Sequence, residues 1–257
     1  MKKWTTVVVL ILALSLVVAA CGGETDTSEF DLVTAGKLTV CSEIPYEPFE
    51  FETDEGTYDG YDVEMMQAIA DKLGLEMEFI NTGFDAITSG SAMVGGVCDI
   101  AASAITIKPE REENIDFTDP YFESDQSLLV KAGSGYSDLD DFVDLRLGVQ
   151  SGTTGEAYAK DNVPEGVELV GFDSGGDLFV ALEAGNIDGI LQDKPVNENR
   201  AEGDDTLEVV QIYKTDENYG FATQEEGKEA LLDAVNDALA ELKSEGTFDE
   251  IFDKWFG

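Results

Sequence analysis

Histidine is absent from all 257 residues, and 15 lysines and arginines face 55 aspartates and glutamates, a formal charge of −40 at neutral pH. The first absence excludes Ser-His-Asp and Cys-His nucleophilic catalysis and histidine-ligated zinc. Acid–base chemistry would fall to carboxylates, lysine or tyrosine. The shortage of positive charge excludes nucleic acid as a partner, because phosphate binding needs the opposite sign. It also argues against docking on an anionic lipid surface. Such acidity keeps a chain soluble and self-repelling, and salt screens the repulsion. No metal or cofactor is expected.

Long apolar runs are also scarce. The prominent one, Val7 to Ala20, follows Lys2 and Lys3 and is short for a membrane span. A positive end, an apolar stretch and a small-residue stop read as an export signal over residues 1–20. Its ending, Leu16 to Cys21, resembles a lipobox, in which a lipid is attached to the cysteine after cleavage. That resemblance implies Cys21 as the membrane anchor, the competing reading being ordinary signal cleavage, and residues 21–29, small, polar and acidic, suit a flexible tether. Of three cysteines, Cys41 and Cys98 remain. Both end apolar strands, and an exported chain permits a disulfide, so the pair is expected to be bonded or adjacent.

The rest alternates short apolar strands with amphipathic helices, an α/β pattern with parallel pairing and right-handed crossovers. Strands are predicted at Leu38–Cys41, Leu75–Ile80 and Ile100–Ala104, the last ending in Thr106. A helix capped by Asp62 buries Val63, Met66, Ile69, Ala70 and Leu73 and stops at Gly74. A second helix runs from Phe84 to about Val94, interrupted by Gly90. After Pro120 a second unit begins: strands Gln126–Lys131, Arg146–Val149, Glu168–Val170 and Asp188–Leu191, with helices through Lys160 and from Gly176 to Ala184. A strand Asn218–Thr223 leads back. Two helices close the chain, one with Leu231, Leu232, Val235, Leu239 and Leu242 inward, one with a stripe of Phe248, Ile251, Phe252, Trp255 and Phe256. This gives two lobes, 30–127 plus 222–257 and an inserted 128–221. Two hinge-crossing strands, near Ser127–Val130 and Gly220–Ala222, join them around a cleft.

The stretch Ala101–Pro120 carries the chemistry. Pro109 suits a helix start, and Arg111 then sits on the first turn beside the Thr106 hydroxyl. A guanidinium fork there fits a carboxylate. The competing reading pairs Arg111 with Glu110, Glu112 or Glu113. Ser151–Gly155, including Gly152, Thr153 and Thr154, precedes a helix whose free amides favour an anion, unless the loop is only a cap. Asp193 follows a strand and offers a carboxylate to an ammonium, unless it is one solvated acid among 55. Tyr46 and Phe84 are placed to wall a pocket, the competing reading being ordinary core, and Glu43 to meet a polar or basic group, the competing reading being a solvated acid.

The pieces LTVCSEIPYEPFEF, GYDVEMMQAIADKLGL, DIAASAITIKPEREENIDFTDPYF, LGVQSGTTGE, GNIDGILQDKPV and EGTFDEIFDKWFG together resemble the amino-acid-binding proteins of ABC importers, solute-binding family 3. That resemblance implies a two-lobed periplasmic-binding-protein fold of type II. It implies that Arg111, with the backbone of Thr106 and Thr154, grips an α-carboxylate. Asp193, Ser103, Ala104 and Thr106 would hold the α-amino group. Tyr46 and Phe84 would sandwich the ligand, with Glu43 and Gln192 near its side chain. Ala104 stands where some members carry Ser or Gly, leaving only its carbonyl to serve. Glu43 stands where several binders of basic amino acids or glutamine carry Asp, which leans towards a basic or amide side chain. The implied partners are a free amino acid and a membrane permease. The implied state is a lipid-anchored monomer outside the cytoplasm with no catalytic role. Two rivals are a cyclohexadienyl or arogenate dehydratase on the same fold, and a ligand-sensing partner of a receptor.

Overall fold

The computed structural model describes Thr27 and residues 30–257. The export signal, Cys21 and nearly all of the tether lie outside the described residues. The chain opens with β1 (Lys37–Ser42), a hairpin of β2 (Phe51–Glu52) and β3 (Tyr58–Asp59), α1 (Tyr61–Leu73) and β4 (Glu76–Asn81). Short helices α2 (Phe84–Thr88) and α3 (Ser91–Val94) precede β5 (Ile100–Ala101), α4 (Pro109–Glu112) and β6 (Ile115–Phe117). A second series follows: β7 (Phe122–Lys131), β8 (Arg146–Gln150), α5 (Thr154–Asn162), β9 (Glu168–Phe172), α6 (Gly175–Glu183), β10 (Gly189–Asp193), α7 (Lys194–Glu202) and β11 (Leu207–Tyr219). The chain then returns through β12 (Ala222–Gln224) to α8 (Glu229–Glu245) and α9 (Thr247–Phe256).

Besides the β2–β3 hairpin, two five-stranded sheets form among the described residues, ordered β4-β1-β5-β12-β6 and β11-β7-β10-β8-β9. In the first, β1 runs parallel to β4 and β5, while β12 is antiparallel to β5 and β6. In the second, β8 runs parallel to β9 and β10, while β7 is antiparallel to β10 and β11. Helix α1 buries Met65, Met66, Ile69, Ala70 and Leu73 at helical spacing and ends at Gly74, whose φ of 70° suits the left-handed cap. Gly90, with φ 73°, breaks the Phe84–Val94 segment into two helices.

Several expectations are corrected. Asp62 is not a cap: Gly60 holds that position, and the Asp62 carboxylate accepts from the Ala104 amide (2.9 Å) and the Tyr121 hydroxyl (2.8 Å). The first change of sheet falls between Phe117 and Phe122, ahead of Ser127–Val130, because β7 already pairs with β11 at Phe122–Tyr219. Its polar residues Ser124 to Ser127 are buried by that pairing. Most of β11 and all of α7 were not expected. Strand β11 lies at a sheet edge, half exposed and bulged, so its second half carries no apolar alternation. Helix α7 buries only Val196 and Asn197 and so shows no apolar stripe. Leu232 is half-buried, and of the α9 stripe only Ile251 is buried.

The junction between the sheets is aromatic. Phe49 and Phe122 rings lie 5.0 Å apart, Phe122 and Tyr219 5.5 Å, next to Phe256. Cys41 and Cys98 form a disulfide that ties the end of β1 to the approach to β5. At the start of the described chain, buried Asp99 accepts from the amides of Val33 (2.7 Å) and Thr39 (3.0 Å) and pairs with buried Lys228.

Candidate functional site

The carboxyl ends of β1, β5, β8 and β10 point into one cleft between the sheets, where side chains on open α/β folds meet ligands. Glu43, Tyr46, Phe84, Ser103, Ala104, Thr106 and Arg111 line it from the first sheet's side. Thr153, Thr154, Gln192 and Asp193 line it from the second. Gly152 stands outside, at the mouth beside Asp85 and Lys108. Its amide goes to Glu156 (3.0 Å), so it offers no donor to the cleft.

Arg111 is 7% exposed. Its guanidinium donates to the carbonyls of Thr106 (2.9 Å) and Gly152 (3.3 Å) and lies 5.1 Å above the Phe84 ring. None of the described ion pairs involves it, so pairing with Glu110, Glu112 or Glu113 is not what the structure shows. Burial lowers its pKa, with Asp193 and Glu217 opposing. The guanidinium stays charged all the same, because its ordinary value is so high. A buried cation solvated only by carbonyls and a ring is costly unless an anion joins it. Facing it, Thr153 caps α5, its hydroxyl oxygen accepting from Glu156 N at 3.1 Å. The first-turn amides of Thr154 and Gly155 have no helical acceptors.

Asp193 has acceptors on the opposite side. It receives Tyr219 OH (2.6 Å), Tyr46 OH (2.9 Å) and Gln126 Nε2 (2.6 Å). Burial, and then Glu217, push its carboxyl up to about 6. The segment after β5 is not the strand expected through Ala104. Ala104 has φ 44°, its amide is taken by Asp62, and the Ser103 hydroxyl donates to Glu50 (2.8 Å). Two buried carboxylates thus pull this segment out of the ladder. At the far end Glu43 accepts from Gln150 Nε2 (3.0 Å), and burial raises its pKa against that bond. Gln192 turns its amide to Asn197 (2.9 Å), leaving Oε1 without a partner among the described residues.

Sequence reasoning missed Gln126, Gln150, Tyr219 and Glu217. Gln150 ends β8 just before the Ser151–Gly155 loop and was legible as a strand end. The other three act through the sheet junction. The free space among the lining groups is about 20 Å³. That is room for about one water, so a larger guest enters only when the walls part. Contacts that cross the cleft, Tyr46 to Asp193, Gln150 to Glu43 and Arg111 to Gly152, must then exchange for contacts to the guest. A wider groove of about 590 Å³ lies between α7, α9 and the ends of β7 and β11. Its lysines already pair, Lys214 with Asp125 and Lys194 with Glu198, and nothing there matches the lone guanidinium.

Residues 38–257 match the family described as bacterial extracellular solute-binding proteins, family 3. A probable histidine-binding protein of Neisseria gonorrhoeae is 32% identical, over 100% of this chain and 96% of its own. Among solved structures, an ancestral arginine-binding protein bound to arginine is 35% identical at a TM-score of 0.79, covering 86% of this chain and 99% of that one. An ancestral amino acid-binding protein, described as a precursor of cyclohexadienyl dehydratase, is 34% identical at a TM-score of 0.80, covering 86% of this chain and 96% of that one.

Proposed function

Because this chain belongs to the bacterial extracellular solute-binding proteins, family 3, we propose that it captures a free amino acid between its two lobes and hands it to an ABC permease. The lobes follow the two sheets, and the segments Thr118–Tyr121 and Gly220–Phe221 between them act as the hinge. The observation that carries this reading is Arg111: a buried guanidinium without a carboxylate partner among the described residues, set across the cleft from a buried aspartate. An amino acid zwitterion supplies what each lacks, a carboxylate to Arg111 and the α5 amides, an ammonium to Asp193 and the Ala104 carbonyl. Contacts from both lobes exist together only when the cleft is shut, so ligand shifts the population to the closed form. Glu43 with Gln150 faces the side chain and favours a cationic or amide group. In this reading Cys21 carries the lipid and the protein acts as a monomer outside the cytoplasm. A diacylglyceryl cysteine at the mature N-terminus, read by mass spectrometry, tests the anchor.

Protein unfolded and refolded to strip bound ligand should show a raised Tm with a subset of the common amino acids. Glu43→Gln should reorder that subset, weakening cationic side chains most. No shift with any amino acid would contradict the reading. A dehydratase would use Glu43 or Asp193 as a general acid, since both are held above the ordinary carboxylate range. Consumption of a cyclohexadienyl acid with no amino-acid shift would favour it.

The pH dependence has a definite sign. Asp193 must be ionised to hold an ammonium, and its carboxyl titrates at about 6 in the folded chain. Affinity should fall about tenfold per unit below that pH and level off above it. Ligand-free stability should move the other way, declining as pH rises from the ordinary aspartate value through about 6, because the fold binds this proton more tightly than the unfolded chain. Affinity unchanged between pH 4.5 and 8 would remove the ammonium from Asp193.

A further inference from the structure

Behind the ammonium side of the cleft lies a carboxylate that no part of the reading above uses. Glu217 stands on β11, where the pairing with β7 slips between Tyr213 and Glu217. Asp216 takes a left-handed φ of 50° there, and Asp125 holds the bulge through the amides of Thr215 (3.1 Å) and Asp216 (3.3 Å). The bulge turns Glu217 inward, to 9% exposure. It accepts from the Thr106 hydroxyl (2.8 Å) and from Gln126 Nε2 (3.0 Å), and it appears in none of the described ion pairs.

The donor count decides what this arrangement does. A threonine hydroxyl has one hydrogen, and here Glu217 takes it. The Thr106 oxygen therefore meets the cleft with its lone pairs. Gln126 Nε2 has two hydrogens and three acceptors: Asp193 (2.6 Å), Glu217 (3.0 Å) and Thr154 Oγ1 (3.2 Å). The pocket is short of donors. An ammonium, with three N–H groups, fills that shortage: it takes over Asp193 and the Thr106 lone pair, and Gln126 keeps Glu217 and Thr154.

We infer that Glu217 is a positioning residue for the ligand nitrogen: by drawing the Thr106 hydroxyl hydrogen and a Gln126 amide hydrogen away from the cleft, it makes that end accept hydrogen bonds only. This rests on the amino-acid reading. It assigns the selectivity for a charged amine over a neutral group to a residue outside the lining. Glu217→Gln keeps the size but can donate to Thr106, which turns the hydroxyl hydrogen into the cleft.

Calorimetry on stripped protein would use L-arginine, L-histidine and L-glutamine, each beside its α-hydroxy acid, which carries a neutral group able to donate or accept. Glu217→Gln should weaken the amino acid by about 10- to 100-fold, the worth of one hydrogen bond to a charged group. The hydroxy acid should change by less than about threefold, so the preference for the amine collapses. Thr106→Val, which removes the hydroxyl and keeps the branched shape, should narrow the same preference, and Glu217→Gln should add little on that background. Equal losses for amine and hydroxy acid, or an unchanged preference in Thr106→Val, would overturn the inference. Wild-type protein that binds none of the three amino acids would instead sink the reading beneath it.

Discussion

Arg111→Met should abolish amino-acid binding and leave the ligand-free protein as stable as before, or more so. The two halves of that result have one cause. The guanidinium is buried against Phe84 with two carbonyls for company and, among the described residues, no paired carboxylate. Holding a charge there costs the empty fold, and an apolar chain of similar length removes the cost. With ligand present the balance reverses, because a bidentate carboxylate supplies the missing anion. Losing that contact costs about 3–5 kcal/mol, roughly two to four orders of magnitude in Kd. Thermal unfolding with and without ligand reads both halves. A variant that melts well below the parent without ligand would make Arg111 a structural residue.

Breaking the Cys41–Cys98 bond should lower stability by about 4 kcal/mol, from the loop-closure entropy released across its sequence separation of 57 residues. For a chain of this size that is on the order of 10 °C in Tm. Both sulfurs sit in the core, at 0% and 1% exposure, so reductant reaches them slowly and the paired substitutions Cys41→Ala and Cys98→Ala are the cleaner test. The bond also joins the end of β1, which leads to Glu43, to the approach to the short β5, which leads to Ser103; the Glu43 amide donates to the Ser103 hydroxyl at 3.1 Å. Ligand affinity should therefore weaken with stability. Urea unfolding midpoints that match the parent would contradict this.

What was legible in the sequence follows from where the information lies. Buried strands such as β1 and β10 are short apolar runs, and α1 and α8 bury residues at helical spacing. Those patterns are local. Arg111 was legible for a local reason too, since Pro109 fixes the start of its helical turn. Asp62 misled because its position fits a cap, whereas its partner Ala104 is 42 residues away. Strand β11 was largely hidden because Lys214 to Glu217 are polar and show no apolar alternation. The bulge and Asp125 turn Glu217 inward, and neither is visible without the neighbouring strand. The early change of sheet was missed for a related reason: Ser124 to Ser127 are polar yet buried by pairing. The lining groups were found from strand ends and a family resemblance. The layer behind them comes from contacts between distant parts of the chain.

A crystal structure of the stripped protein soaked with whichever amino acid raises its Tm most is the direct measurement. The α-carboxylate is expected on Arg111 and the amides opening α5, the ammonium on Asp193 and Thr106, and the side chain towards Glu43. A ligand lying the other way round, or seated anywhere but this cleft, would refute it.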